Sequence, residues 1–95
     1  MIIAVDFDGT LYKDNLVNVN LINRLKADQR NGNIVILWTC RDGHRLGEAV
    51  RILYEQGFKP NYINQNAPHI IKQLKYDPRK IVADVYIDDK AINVN

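Results

Sequence analysis

Acidic side chains occur in two pairs, each after an apolar run. Asp6 and Asp8 follow Ile-Ile-Ala-Val, and Asp88 and Asp89 follow Val-Tyr-Ile. Two carboxylates about 4 Å apart repel by roughly 4 kcal/mol at an effective dielectric near 20. A hard divalent cation relieves such repulsion, and Mg²⁺ commonly takes one or two carboxylates, waters and a phosphate oxygen. If the fold joins the two pairs, all four acids are predicted to form a Mg²⁺ site; on its own, the second pair is equally typical of a solvated turn.

The spacing of Asp6 and Asp8 permits two different chemical roles. Residues two apart on a strand share a face, while a turn at Gly9 lets the second side chain swing around the site. One acid can attack phosphorus to give an aspartyl-phosphate. The other can protonate the leaving oxygen and later deprotonate the attacking water. The pair therefore favours covalent phosphoryl chemistry.

Strand and helix patterns alternate along the chain. Apolar runs predict strands over residues 2 to 7, 34 to 38, 62 to 63 and 81 to 87. Helices are predicted from a cap at Asn18 or Asn20, from about Arg45 to Gln56, and from Pro68. The stretch from Tyr12 to Leu16 is interpreted as an irregular, exposed flap.

Connections of this length suit βαβ crossovers, so we expect a three-layer α/β/α, Rossmann-like parallel sheet. In such folds ligands bind outside the carboxyl ends of the strands. Three polar clusters are predicted to meet there: Asp6 with Asp8, Thr39, and Asp88 with Asp89.

Three segments resemble signatures of the haloacid dehalogenase superfamily. Asp-Phe-Asp-Gly-Thr-Leu, from Asp6 to Leu11, looks like the first signature. The apolar run that ends at Thr39 is similar to the second. The pair Asp88-Asp89 after an apolar strand resembles the fourth. The resemblance extends over most of the chain and implies a phosphohydrolase fold.

The same resemblance implies a role for each matched residue. Asp6 would be the nucleophile and a Mg²⁺ ligand. Asp8 would be the general acid and base, with its backbone carbonyl on the metal. Thr39 would bind the phosphoryl group. Asp88 would contact the metal directly, and Asp89 would do so through water.

The family's third signature is a lysine that supplies positive charge between nucleophile and phosphate. Lys80 is predicted to fill that role, with Lys72, Lys75 and Arg79 as competitors. The spacing to the next strand is shorter than in many relatives.

Gly9 and Arg41 are predicted to contact the substrate. Arg41 follows Thr39 closely enough to reach a second anionic or polar group, although its segment is also typical of a helix start. Trp38 and Tyr86 are expected to pack in or near the core rather than to form a platform for a base.

Size and composition limit the remaining possibilities. The 95 residues, 46% of them hydrophobic, suit one domain over residues 1 to 95. Neither the segment after Asp8 nor the one after Thr39 can hold a separate cap domain, so a minimal, capless member is expected. Its site would be covered by the flap, by a neighbouring subunit in a homo-oligomer, or by a large phosphorylated substrate.

The net charge of +2 comes from scattered basic residues, so no sequence-specific nucleic-acid binding is predicted. No apolar run approaches the roughly 20 residues that span a bilayer. With the single Cys40, these features favour a cytoplasmic protein.

Three alternatives to hydrolysis are left open by the sequence. The phosphoryl group could pass to an acceptor other than water. The chain could also be a receiver-like signalling module, or a noncatalytic module that binds Mg²⁺ or phosphate. An intact acid at Asp8 favours turnover over a long-lived phosphorylated state.

Overall fold

A computed structural model describes residues 1–89 and the backbone of residues 92–94. The elements in chain order are β1 (Ile2–Val5), β2 (Tyr12–Lys13), β3 (Leu16–Val17), α1 (Val19–Arg30), β4 (Ile34–Leu37), α2 (Gly43–Glu55), β5 (Tyr62–Ile63), α3 (Pro68–Leu74), β6 (Val85–Ile87) and β7 (Ile92–Val94). The main sheet has the order β5-β4-β1-β6-β7. Its first four strands are parallel, and β7 is antiparallel to β6. The predicted α/β fold is confirmed, and no cap domain is evident in the described residues.

Alternation along β1 separates two hydrophobic cores, because successive strand side chains point to opposite faces. Ile3 and Val5 belong to the core that holds residues of α1 and α2, including Leu25 and Leu53. Ile2 and Ala4 belong to the core on the other face, which includes Ala67 and Ile81 and has Ile70 of α3 packed against it. The sheet is thus covered on both faces, as a three-layer arrangement requires.

Helix α1 shows how the sequence defines an element. The side chain of Asn18 accepts a hydrogen bond from the Leu21 N–H at 3.1 Å, so Asn18 is the cap rather than Asn20. Asn31 is the C-cap of the helix, and Gly32 follows with a φ of +88°. Its buried residues are Ile22 and Leu25, on the predicted apolar face.

The prediction of an irregular segment from Tyr12 to Leu16 is wrong. Strands β2 and β3 form an antiparallel hairpin joined by Asp14 and Asn15, with φ values of +53° and +62°. Positive φ at both positions is typical of the tight turns that match strand twist, and Asp and Asn tolerate it better than most residues. The turn residues are exposed, as expected.

The last predicted parallel strand is shorter than expected. Only Val85–Ile87 is a strand, and Ile81 to Asp84 lie outside it. Ile81 and Ala83 are buried outside the sheet, so their apolar character reflects burial and does not indicate a strand. Asp84 instead fixes the start of β1, since its carboxylate accepts from the Ile2 N–H at 2.7 Å. Helix α2 begins at Gly43, two residues before the predicted start. No helix in the described part of the chain has both the length and the apolar character needed to cross a membrane.

Candidate active site

The carboxyl ends of β1, β4 and β6 lie level with one another. Val5, the last residue of β1, pairs in register with Leu37 and with Ile87. Backbone bonds extend this alignment: the Asp6 N–H donates to the Ile87 carbonyl at 3.0 Å, and the Trp38 N–H donates to the Val5 carbonyl at 2.9 Å. The residues that leave these strands therefore meet at one edge. They line a cavity of about 170 Å³ formed by Asp6, Trp38, Thr39, Cys40 and Asp88.

Asp6 is partly buried at the end of β1. Its Oδ1 accepts a hydrogen bond from the Phe7 N–H at 2.8 Å. Burial raises the pKa of Asp6, the Phe7 hydrogen bond opposes that rise, and the negative charges of Asp8, Asp89 and Asp88 raise the pKa further. The fold thus brings the two predicted acid pairs close enough to repel one another.

A tight turn follows Asp6 and places Gly9 against the second acid pair. The Phe7 carbonyl accepts from the N–H groups of Thr10, Leu11 and Tyr12 at 3.0 to 3.2 Å. Gly9 has a φ of +82°, and a Cβ added there would lie 3.0 Å from the Cβ of Asp89. Both the conformation and the close approach require glycine. The described contacts of Gly9 thus concern packing, and its contact with a substrate remains a prediction.

Asp8 lies in a different electrostatic environment from Asp6. Arg41 donates to both Asp8 carboxylate oxygens, from Nε at 2.9 Å and from an Nη at 2.8 Å. These hydrogen bonds lower the pKa of Asp8, burial opposes the change, and the positive charges of Arg41 and Arg45 lower it further. The guanidinium also lies 4.7 Å from the centre of the Phe7 ring. The Arg41 side chain is 10% exposed and that of Asp8 51%, so the arginine is the fixed partner.

Thr39 is buried and fixed by two hydrogen bonds. Its N–H donates to Oδ1 of Asn64 at 2.8 Å, and its hydroxyl oxygen accepts from the Arg41 N–H at 3.1 Å. Asn64 follows β5, has a φ of +52°, and donates its own N–H to the Leu37 carbonyl at 2.8 Å. The position at the cavity is the predicted one, whereas Asn64 was not predicted.

A second asparagine anchors the segment that carries Lys80. Asn66 is fully buried, and its Nδ2 donates to the Lys80 carbonyl at 3.2 Å and to Oδ1 of Asp77 at 2.8 Å. Its Oδ1 accepts from the Val82 N–H at 2.6 Å. The Lys80 side chain is exposed and makes no hydrogen bond or ion pair within the described residues. Its role beside the nucleophile remains a prediction, as does that of its three competitors.

Trp38 is more exposed than the expected position in or near the core implies. It is 45% exposed and lines the cavity beside Asp6. Tyr86 is partly buried, as expected, and meets the indole edge to face at 6.2 Å between ring centres. The apolar run of β4 gave no indication that Trp38 lies just beyond the strand, where the chain turns toward the cavity.

The oxygen ligands at this edge of the sheet suit a hard cation, although they do not form a preassembled metal site. No group of three or more His, Cys, Asp or Glu side chains in the described residues is placed to hold a metal ion. Arg41 draws the Asp8 carboxylate aside, while Asp6 and Asp88 line one cavity. Mg²⁺ needs only one or two carboxylates besides waters and phosphate. The oxygen donors and the negative charge around Asp6 therefore fit Mg²⁺.

Comparison with solved structures gives a similar fold over nearly the whole chain. A structure described as that of the conserved protein coded by locus from Bacteroides thetaiotaomicron is 31% identical in sequence, with a TM-score of 0.77. The alignment covers 96% of this chain and 77% of that one. No protein-family model matches the chain, and no curated protein matches it.

Proposed function

We propose that this chain, which belongs to the same family as the conserved Bacteroides thetaiotaomicron protein, is a Mg²⁺-dependent phosphohydrolase of the haloacid dehalogenase type. One observation carries the proposal. The parallel pairing of β1 with β4 and β6 brings Asp6, Thr39 and Asp88 into the wall of one cavity at the carboxyl edge of the sheet. A carboxylate nucleophile, a hydroxyl and a second acid at this edge suit covalent phosphoryl chemistry, and this is where ligands of such sheets bind.

In the first step, an Asp6 carboxylate oxygen bonds to phosphorus while the bond from phosphorus to the leaving oxygen breaks. Asp8 supplies the proton that the leaving oxygen needs. In the second step water bonds to phosphorus, Asp8 accepts its proton, and the Asp6 carboxylate is released with inorganic phosphate. The Thr39 side chain, held beside Asp6, supplies a hydroxyl for the phosphoryl oxygens.

Arg41 must release Asp8 during this sequence. The paired carboxylate is held in its charged form, which cannot donate a proton. Asp8 is half-exposed, so its side chain has room to rotate. A substrate phosphate offers Arg41 a replacement anion with the same two-oxygen geometry. Substrate binding would thereby free Asp8 to take up a proton, from water or from the bound phosphate, and to pass that proton to the leaving oxygen.

Mg²⁺ would be held by the carboxylates of Asp6 and Asp88 and by the Asp8 backbone carbonyl, with Asp89 contributing through water. When bound, it supplies positive charge that offsets the carboxylates and the phosphate oxygens. Lys80 is proposed to add a further positive charge near the phosphoryl group.

The test is phosphate release from an aryl phosphate, with and without Mg²⁺, by the wild type and by Asp6→Asn. We expect metal-dependent turnover that falls at least about a thousandfold in the variant, because the nucleophile is lost. Asp28→Asn, which alters an acid on α1, is the matched control and should keep full activity. Equal activity in the wild type and Asp6→Asn would contradict the proposal. The absence of turnover in both proteins would also contradict it, and would favour a module that binds Mg²⁺ or phosphate without catalysis.

A further inference from the structure

Trp38 presents a partly exposed indole at the candidate active site. The residue is 45% exposed. It immediately precedes Thr39 and shares the cavity wall with Asp6 and Asp88. Its backbone N–H is bonded to the Val5 carbonyl, which fixes the main chain at the strand end. The exposed ring thus stands next to the position of the reacting phosphoryl group.

The indole is held in place from the protein side. Tyr86 meets it at an interplanar angle of 71°, a favourable edge-to-face contact. Tyr86 is itself fixed, because its hydroxyl donates to the Ile81 carbonyl and accepts from the Ala83 N–H. A fixed aromatic surface loses little conformational entropy when a ligand packs on it.

The cavity is smaller than most small-molecule binding sites. Its volume of about 170 Å³ lies below the range of roughly 300 to 1,000 Å³ typical of small-molecule sites. The phosphoryl group can enter beside Asp6 and Thr39, while the leaving group remains at the mouth. Trp38 is the exposed aromatic residue in the described lining of that cavity.

We infer that Trp38 stacks on a planar ring of the leaving group, so that the preferred substrates are phosphate monoesters bearing an aromatic ring or a nucleobase. The inference rests on the proposed function for the position of the phosphate. Two sources share this chemistry: an aryl phosphate, whose ring is joined directly to the ester oxygen, and a nucleoside monophosphate, whose ring lies beyond a sugar. Stacking tolerates many rings because each presents a π face.

The kinetic test compares an aryl phosphate, a nucleoside monophosphate and the ring-free glycerol phosphate. Trp38→Ala should reduce the preference for ring-bearing over ring-free esters, measured as a ratio of KM values, by about tenfold. The change should fall on KM rather than kcat, because stacking holds the ring equally in the ground state and in the transition state. Trp38→Phe should restore most of the preference. Tyr54→Ala, which removes another exposed aromatic ring, should leave it unchanged.

A second measurement reads stacking without turnover. The chain has one tryptophan, so its fluorescence reports Trp38 alone. Saturable quenching by either ring-bearing ester, exceeding that by glycerol phosphate, supports the inference even if no ester is hydrolysed, in which case the proposed function fails separately. The absence of ring-dependent quenching overturns the inference. So does an equal loss of activity toward all three esters in Trp38→Ala, which would indicate a purely structural role.

Discussion

The two halves of the candidate active site place aspartate residues in opposite electrostatic environments. In the acidic half, formed by Asp6, Asp88 and Asp89, burial and like charge raise the pKa of Asp6. In the cationic half, formed by Arg41 and Arg45, hydrogen bonds and opposite charge lower the pKa of Asp8. Only Phe7 separates the two acids in sequence. Their difference therefore comes from what the fold brings to each, not from local sequence.

The largest expected effect is a loss of turnover when Asp8, the acid paired with the cationic half, is replaced. Asp8→Asn should lower kcat for phosphate release by about 10²- to 10⁴-fold, because an amide can neither give nor take the required proton. Steady-state kinetics on an aryl phosphate measures the loss. Asp42→Asn is a suitable control, since Asp42 lies next to Arg41 in sequence and its side chain makes no capping bond to α2. Unchanged turnover in Asp8→Asn would refute a proton-transfer role.

A smaller effect, opposite in sign, is expected for stability in the acidic half. Without metal, Asp6→Asn should raise the free energy of unfolding at neutral pH by about 0.5–2 kcal/mol, because it removes a charge that burial and neighbouring acids disfavour. Chemical denaturation in a chelator measures the change. Mg²⁺ should stabilise the wild type more than the variant. If Asp6→Asn is less stable than the wild type, the charge of Asp6 is not destabilising in the folded protein.

The same shift gives a pH dependence with a definite sign. The pKa of Asp6 is raised in the folded state, so that state binds more protons than the unfolded chain between the two pKa values. The Asp6 contribution to stability therefore falls as pH rises from about 4, the unfolded value, through the folded pKa. The advantage of Asp6→Asn should shrink toward zero below about pH 4. If the stability difference between Asp6→Asn and the wild type stays constant down to that pH, the difference does not come from the Asp6 charge.

The smallest effect is expected from breaking the ion pair of the cationic half. Arg41→Met keeps an apolar side chain over Phe7 but removes the charge, so the pKa of Asp8 should rise toward its ordinary value. Stability should fall by less than about 1 kcal/mol, since Asp8 is half-exposed. Titration of the carboxyl carbon by NMR follows the pKa. Arg51→Met, which breaks the exposed pair with Glu55, is the control.

The contribution of Asp8 to stability depends on pH in the opposite direction to that of Asp6. Its folded pKa is lowered, so the pair stabilises the protein above the unfolded pKa, and this contribution is lost as pH falls through the lower folded value. The difference between the wild type and Arg41→Met should thus persist at neutral pH, begin to shrink near about pH 4, and vanish only below the lowered folded pKa. An unaltered Asp8 pKa in the variant would show that Arg41 does not hold that carboxylate in solution.

The strand ends were the part of the site that the sequence predicted best. Apolar runs that stop at Asp6, Thr39 and Asp88 mark where buried strands give way to polar loops, and parallel pairing brings such ends together. The hairpin was missed because its strands have only two residues each, too few for alternation to be recognised. Its turn, Asp14-Asn15, also lacks the glycine that usually marks a tight hairpin.

The contacts that distinguish the two halves could not be predicted from the sequence. Arg41 and Asp8 are 33 residues apart, and nothing local to either residue specifies the other. Asn64 and Asn66 look like ordinary loop residues, yet one holds Thr39 and the other is a fully buried centre of hydrogen bonding. Such pairings depend on the packing of loops after separate strands.

The place of β1 between β4 and β6 has a consequence for biosynthesis. Ile2 is hydrogen-bonded to Asp84 across 82 positions of sequence, so β1 is made before β6 and stays open on one side until β6 has emerged. At about 5–20 residues per second the wait lasts several seconds, during which an unpaired apolar strand is vulnerable to misassociation. Asp6 acquires its acidic neighbours only at the end of that interval. We therefore expect nascent chains to lack the assembled site until the last parallel strand docks.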